Sequence, residues 1–158
     1  MPEFETVLAF DPNSTGALHL LGWCKLLTGS IDEVIPLAEQ AIRLNPRDPF
    51  IANRYVRIGM IHLVQSRTDE AILWLEKARN ANPREHYTRA FLASAYALKG
   101  EPERAAAELA EARRLFGDDR LSSIAHLRTT ETWRAPKIRA LFEATYLAGL
   151  RKAGVPEE

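Results

Sequence analysis

Three prolines constrain this chain more than any other feature. Pro12, Pro46 and Pro83 each follow an Asp or Asn, and each closes a segment with helical apolar periodicity. Proline lacks the N–H that a helix requires and its ring collides with the preceding turn, so each one fixes a helix end. Pro12 to Pro46 is 34 residues, and Pro46 to Pro83 is 37. Between consecutive ends lie two periodic segments joined by a turn: Thr28-Gly29-Ser30, then Ser66-Arg67-Thr68, then Lys99-Gly100-Glu101 after Pro83. Aligned on the repeat ends, Leu21, Ile58 and Leu92 coincide, as do the small residues Gly22, Gly59 and Ala93, and again Ala41, Ala78 and Ala112. Small residues at a helix crossing let two backbones approach, so Gly22, Gly59, Ala71, Ala78, Ala93, Ala105 and Ala112 are assigned to repeat packing. A helix-turn-helix unit recurring at this period predicts an α-solenoid.

Composition agrees with an all-α reading. The 158 residues suffice for one domain with a sizeable core, and strand-type alternation is missing. Lys plus Arg (21) equals Asp plus Glu (21), so no strong field steers the chain toward nucleic acid or an acidic membrane. No apolar run approaches the roughly 20 residues of a membrane span. The single cysteine, Cys24, excludes an internal disulfide and a cysteine-based zinc site. The expectation is a soluble, cytoplasmic helical domain.

The repeats resemble the tetratricopeptide repeat (TPR) family. Leu18, Leu21, Gly22, Gly29, Ala41 and Pro46 match its pattern in one repeat. Tyr55, Ile58, Gly59, Ala71, Leu75, Ala78 and Pro83 match in the next, and Leu92, Ala93, Tyr96, Gly100, Ala105, Leu109 and Ala112 in a third. Lys25 and His62 stand where an aromatic is usual, Arg89 replaces a large apolar residue, and Gly117 replaces the third proline. The resemblance covers residues 4–117 and implies a TPR-type α-solenoid, antiparallel helix pairs in a right-handed superhelix.

The predicted organisation is a TPR array over 1–117, with a partial repeat at 2–12 and full repeats at about 15–46, 50–83 and 86–117. C-terminal capping helices follow over 118–158. Phe4 and Asp11-Pro12 match the end of a repeat whose first helix is absent. The longer second spacing places three extra residues, Pro49-Phe50-Ile51, as an extension of the next helix, with Asp48 as N-cap and Pro49 in the first turn. Past Gly117 the period is lost. Asp118-Asp119 caps a short helix from Leu121 to Arg128, a polar connector runs from Thr129 to Arg134, and a longer helix runs from Pro136 to Lys152. Its apolar stripe of Ile138, Leu141, Phe142, Thr145 and Ala148 is widened by Tyr146, Leu147 and Leu150.

The tail, Leu121 to Arg128 with Leu147 to Glu158, resembles the C-terminal end of bacterial class III adenylate/guanylate cyclases that carry TPR arrays, and Ala41 to Phe50 resembles theirs too. Similar arrays follow winged-helix DNA-binding domains in some bacterial regulators. That resemblance implies a C-terminal fragment of a longer protein, with the catalytic or DNA-binding domain upstream.

No catalytic constellation is legible. Gly16, Gly22 and Gly29 are spread over a helix and its turn rather than forming a phosphate loop. His19, His62, His86 and His126 are isolated from one another, with no His-x-x-x-His pair, and His62 falls on a core-facing position. Arg113-Arg114 suit a helix C-terminus, where a cation meets the dipole. The expectation is a non-enzyme with no cofactor and no metal.

In TPR arrays the first helix of each repeat lines a concave groove. By that resemblance the groove positions are His19, Leu20, Trp23 and Leu27, then Asn53, Arg57, Met60 and Val64, then Tyr87, Phe91, Ser94 and Leu98. The core partner-binding set is His19, Trp23, Asn53, Arg57, Met60, Tyr87, Phe91 and Ser94. Neither the carboxylate clamp of chaperone-binding members nor the asparagine ladder of the O-linked N-acetylglucosamine transferases is reproduced. The groove is apolar and aromatic, with Arg57 its one firm charge. Its expected occupant is a protein or peptide, left open between an external segment, the chain's own C-terminal helix and a second copy. No nucleic-acid or membrane partner is expected. The functional expectation is an interaction scaffold, with an oligomerising or regulatory region of a cyclase or winged-helix regulator as the alternative.

Overall fold

The computed structural model describes residues 2–117, 119–130 and 136–158. Helix α1 spans Pro2–Phe10 and α2 Thr15–Leu27; a 3-10 turn at Ile31–Glu33 leads into α3, Val34–Leu44. Then come α4 (Ile51–Val64), α5 (Thr68–Ala81), α6 (His86–Lys99), α7 (Pro102–Phe116) and α8 (Ile124–Thr130). A last continuous helical stretch consists of α9 (Pro136–Phe142), a π turn (Glu143–Leu147) and α10 (Ala148–Ala153). No strand occurs among the described residues. The Asp118 cap, part of the 129–134 connector and the Phe4 side chain fall outside what is described.

Local chemistry explains most of the boundaries. Ser14 caps α2 by accepting from the Ala17 N–H at 3.3 Å, and the Glu85 carboxylate caps α6 by accepting from the N–H groups of Tyr87 and Thr88. Pro102 opens α7, where its missing N–H costs nothing. The turn after α2 uses Gly29 at φ 87°, whereas the turn after α4 places Ser66 at φ 61°, in the same left-handed region without a glycine.

The start of α4 differs from the sequence expectation. Asp48 does not cap the helix, and Pro49 and Phe50 do not lengthen it: α4 begins at Ile51 and has 14 residues, the same as α5 and α6. Asp48 instead accepts from the Phe50 N–H at 2.8 Å, closing a side-chain turn, and ion-pairs with Arg54 at 3.0 Å. The pair is buried, and each charge offsets the desolvation of the other. The extra residues form a loop. At the C-terminal end, α8 runs on through Thr129 to Thr130, two residues beyond the expected Arg128.

Three helix pairs, α2/α3, α4/α5 and α6/α7, stack in order, and each second helix packs on the first helix of the next pair. At the crossings Gly22, Gly59, Ala71, Ala78, Ala93, Ala105 and Ala112 are all buried. The core between pairs is aliphatic, with Leu26, Ile61, Leu75 and Leu92 fully enclosed. Two polar clasps tie α5 to the third pair. Buried Glu108 on α7 accepts from Arg79 on α5 and from Arg89 on α6. Glu76 on α5 accepts from Tyr96 and from Arg104, whose guanidinium lies 3.9 Å from the Tyr96 ring centre.

The C-terminal stretch does more than cover the last pair. It crosses the inner layer formed by α2, α4 and α6. The Lys137 side chain reaches the turn at Gly29, the π turn touches α4 and α6, and α10 lies along α6 and α7. The tail then turns back: the N–H groups of Ile124 and Ala125 donate to the carbonyls of Pro156 and Glu157. Arg128 and Arg151 both hold Glu143 and Glu157, a four-residue ionic cluster that pins α8, the last helix and the tail together. Each pair alone would add little, but a network sharing carboxylates fixes geometry.

Candidate interaction groove

The groove positions separate into two strips along the inner layer. The strip formed by later turns of the inner helices is filled by the chain itself. Phe91 is buried with its ring centre 4.4 Å from that of Tyr146 and 6.4 Å from that of Phe142. Ser94 is fully buried and donates to the Tyr146 carbonyl at 2.8 Å. Met60 and Val64 are buried in the same core cluster as Phe142, Tyr146 and Leu150. Met60, Phe91 and Ser94 therefore face the last helix instead of solvent.

The other strip consists of earlier turns of the same helices, and it is partly exposed. Leu20 and Asn53 are exposed; His19, Trp23, Arg57 and Tyr87 are half-buried. Trp23 and Arg57 stack, with the guanidinium carbon 4.2 Å from the ring centre. Tyr87 packs on Phe116 and accepts from Arg120 at 3.0 Å, so it belongs to the α6/α7 end. His19, Leu20, Trp23, Asn53 and Arg57 form the remaining cluster, on α2 and α4.

Electrostatics in this strip are unusual for a surface. Burial, with help from Arg57 and Arg54, depresses the His19 pKa to about 4, so the imidazole is neutral at pH 7. Burial and the neighbouring Arg54 likewise pull Arg57 down, to about 10, which still leaves it cationic. His62 is also depressed by burial, its Nδ1 enclosed and without a hydrogen-bond partner. It borders a shallow cleft of about 320 Å³ between the first two full repeats, lined also by Asp32, Glu39, Gln65 and Arg67. Within that cleft Gln65 donates to Asp32 and accepts from Arg67, so the polar groups mostly satisfy one another. No group of three His, Cys, Asp or Glu side chains converges on a metal-sized site among the described residues.

A depressed histidine destabilises the fold in acid, because the unfolded chain takes up a proton that the folded chain refuses. The His19 contribution is complete above pH 6.5 and is lost progressively as the pH falls toward about 4. His19→Gln is expected to flatten the decline in melting temperature between pH 6.5 and 4.5, leaving the His62 share. Identical slopes in wild type and variant would refute the buried, neutral state of His19.

Residue-level signals for parts of this arrangement existed in the sequence. The broad apolar stripe of the last helix fits an element covered on more than one side. Arg54, which neutralises Asp48, was not singled out, since a pairing six residues apart across a loop has no periodic signature.

No family model matches the chain, and no curated protein sequence does. Among solved structures, the crystal structure of MamA, a TPR-like helical protein, superposes with a TM-score of 0.64 at 19% identity. The match covers 95% of this chain and 82% of that one. The fold is a TPR-type α-solenoid. At that identity the likeness carries architecture alone, so function rests on the groove.

Proposed function

We propose that this chain is a non-enzymatic scaffold that holds a peptide or helical segment of a partner protein along the partly exposed strip of its inner layer. The observation that carries the reading is the half-buried Trp23–Arg57 stack beside exposed Leu20 and Asn53, on the inner layer next to the strip that the last helix fills. Aromatic and arginine side chains on a rigid helical platform are the usual anchors of protein interfaces. The last helix supports the reading as well, since it is itself a helix lying in the groove.

The test is selection of displayed peptides on the intact chain. Trp23→Ala is expected to weaken selected ligands by roughly 30-fold or more, a hot-spot effect, while the melting temperature stays within a few degrees. Ligands that bind the variant as well as wild type would remove the groove from the account. Met60 is not a suitable partner mutation, because it is only 3% exposed and its truncation would disturb the core. The tail's resemblance to TPR-bearing cyclases supports a narrower alternative, an oligomerising region of a nucleotide cyclase or winged-helix regulator. Exposed Val7 and Phe10 on α1 favour it, and a stable dimer by light scattering would rank it above the scaffold.

A further inference from the structure

Helix α1 presents a register that the other outer helices of the array keep covered. Val7 lies 34 residues before Ala41, the spacing that separates Pro12 from Pro46, so Val7, Ala41, Ala78 and Ala112 are equivalent. Ala41 is 2% exposed and Ala78 and Ala112 are fully buried, whereas Val7 is 44% exposed. The cause is the pairing. Helices α3, α5 and α7 are each covered by the first helix of their own pair, α2, α4 and α6. Helix α1 makes the stacking contact with α2, as α3 does with α4, but no helix of the described residues pairs with it in the other way. Phe10, at the end of the same helix, is 90% exposed, against 40% for Leu44 at the equivalent position.

The three complete pairs show what a covering helix brings. Four residues before each small crossing residue, Gly22, Gly59 or Ala93, stands Leu18, Tyr55 or Arg89. The matching second-helix positions, again set by the repeat spacings, hold Leu37, Trp74 and Glu108. Tyr55 and Trp74 pack with ring centres 5.7 Å apart, and Arg89 donates to Glu108 at 2.9 Å. Aliphatic is matched with aliphatic, aromatic with aromatic, and cation with anion. At this register α1 carries Glu3, which is exposed. Glu108 accepts from Arg79 and Arg89 together, so a carboxylate at this position has room for an incoming cation beside any contact within the chain. Both charges of α1, Glu3 and Glu5, are negative. A second copy of α1 laid against it would oppose like charges, and a basic helix is favoured.

We infer that the uncovered face of α1 docks one amphipathic helix of a partner protein, antiparallel to α1, with an Arg or Lys opposite Glu3 and a Gly or Ala four residues later at the crossing. The docked helix completes a fourth helix pair. This surface lies on α1 and does not depend on the strip formed by α2 and α4.

The probe is a stapled, fluorescent peptide of the α6 sequence, His86 to Lys99, which carries Arg89 and Ala93 at the required spacing. It is titrated into the intact chain and followed by anisotropy. Expected is saturable binding that Val7→Glu weakens by roughly 10-fold or more, because the new carboxylate is buried in the apolar seam. The melting temperature of that variant should stay within a few degrees of wild type, since position 7 is already exposed. The Arg89→Glu form of the peptide should bind wild type roughly 5-fold more weakly and recover on Glu3→Arg, where the charges are exchanged. Absence of binding, or binding that Val7→Glu leaves unchanged, would overturn the site. A loss of many degrees in Val7→Glu would show the face already covered within the chain, and would overturn it too. Failure of the exchanged pair to recover would overturn the register that sets a cation against Glu3. An intact chain that dimerises by light scattering, and is monomeric as Val7→Glu, would put a second copy on the face in place of a basic helix and overturn the inference.

Discussion

Gly149→Ala is expected to detach the last helix and lower the melting temperature by roughly 10 °C. A Cβ at position 149 would lie 2.1 Å from Ser94 Oγ, 2.5 Å from the Ser94 carbonyl oxygen and 2.9 Å from the Ser94 carbonyl carbon. Two of these atoms are backbone, so no rotamer change relieves the contact; α10 must move off α6. Overpacking of this kind costs about 1–3 kcal/mol where a core can adjust, and more where it cannot. The gain of about 1 kcal/mol from replacing glycine by alanine within a helix is too small to offset it. Moving α10 also breaks the bond from Ser94 to Tyr146 and uncovers Phe142, Tyr146 and Leu150, each at most 1% exposed. Calorimetry gives the shift, and binding of a hydrophobic dye reports whether Phe91 and Met60 become accessible before the repeats unfold. Ser94→Ala serves as the milder control, losing one hydrogen bond, at about 1 kcal/mol. A Gly149→Ala protein that melts with wild type would mean that the last helix is not seated in the groove.

The contrast between the two ends of the chain shows what sequence can and cannot carry. The repeats were legible because proline, glycine and alanine act locally: Pro46 and Pro83 stop helices, and Ala78 and Ala112 sit at crossings, in positions fixed by period alone. The α-solenoid followed from that register. That the last helix fills part of the groove stood in the sequence only as one of three open occupants, since docking depends on shape at a distance. Gly149 lies 55 positions from Ser94 in the chain, and nothing in the local pattern around either residue announces the contact. The π turn is equally silent: Thr145, donating to the Leu141 carbonyl at 2.7 Å, reads in sequence as an ordinary member of a helical stripe. A turn with one extra residue often marks a functional position or a packing constraint. Here it lies directly at the contact with α6.

The same limit explains the charged residues. Glu108 reads as a solvated position on an Ala-rich helix, yet it is 6% exposed and joins arginines 29 and 19 residues away. Asp48 reads as a cap because Asp before Pro is a helix-start signal, and the loop geometry turned it toward Arg54 instead. That diversion has a consequence on the inner layer. With Asp48 paired to Arg54, no ion pair is found for Arg57 among the described residues. A feature that looks like a helix boundary in sequence thus sets the charge of the candidate site.

Gly59→Leu is expected to unfold the domain, and its contrast with Gly22 makes the expectation specific. The two glycines occupy equivalent positions in consecutive repeats, but their surroundings differ. A Cβ at Gly22 meets only Leu37 Cβ, at 3.9 Å, an ordinary contact. At Gly59 it would lie 2.6 Å from Leu75 Cγ, 2.9 Å from Leu75 Cδ2 and 3.2 Å from the Ala71 carbonyl oxygen. Leu75 is fully buried and cannot swing away, and the Ala71 oxygen belongs to the facing backbone. Gly22→Ala should therefore be neutral or stabilising by up to about 1 kcal/mol, through helix propensity. Gly59→Ala should lose about 1–2 kcal/mol despite the same propensity gain. Gly59→Leu adds three more carbons at the crossing and forces α4 and α5 apart. The cost is expected to exceed about 4 kcal/mol, a large part of the 5–15 kcal/mol that holds a typical domain together. Circular dichroism with thermal melts of the three variants decides it. Equal effects at the two positions would contradict the tighter α4/α5 crossing, and a folded Gly59→Leu protein would contradict the pairing of those helices.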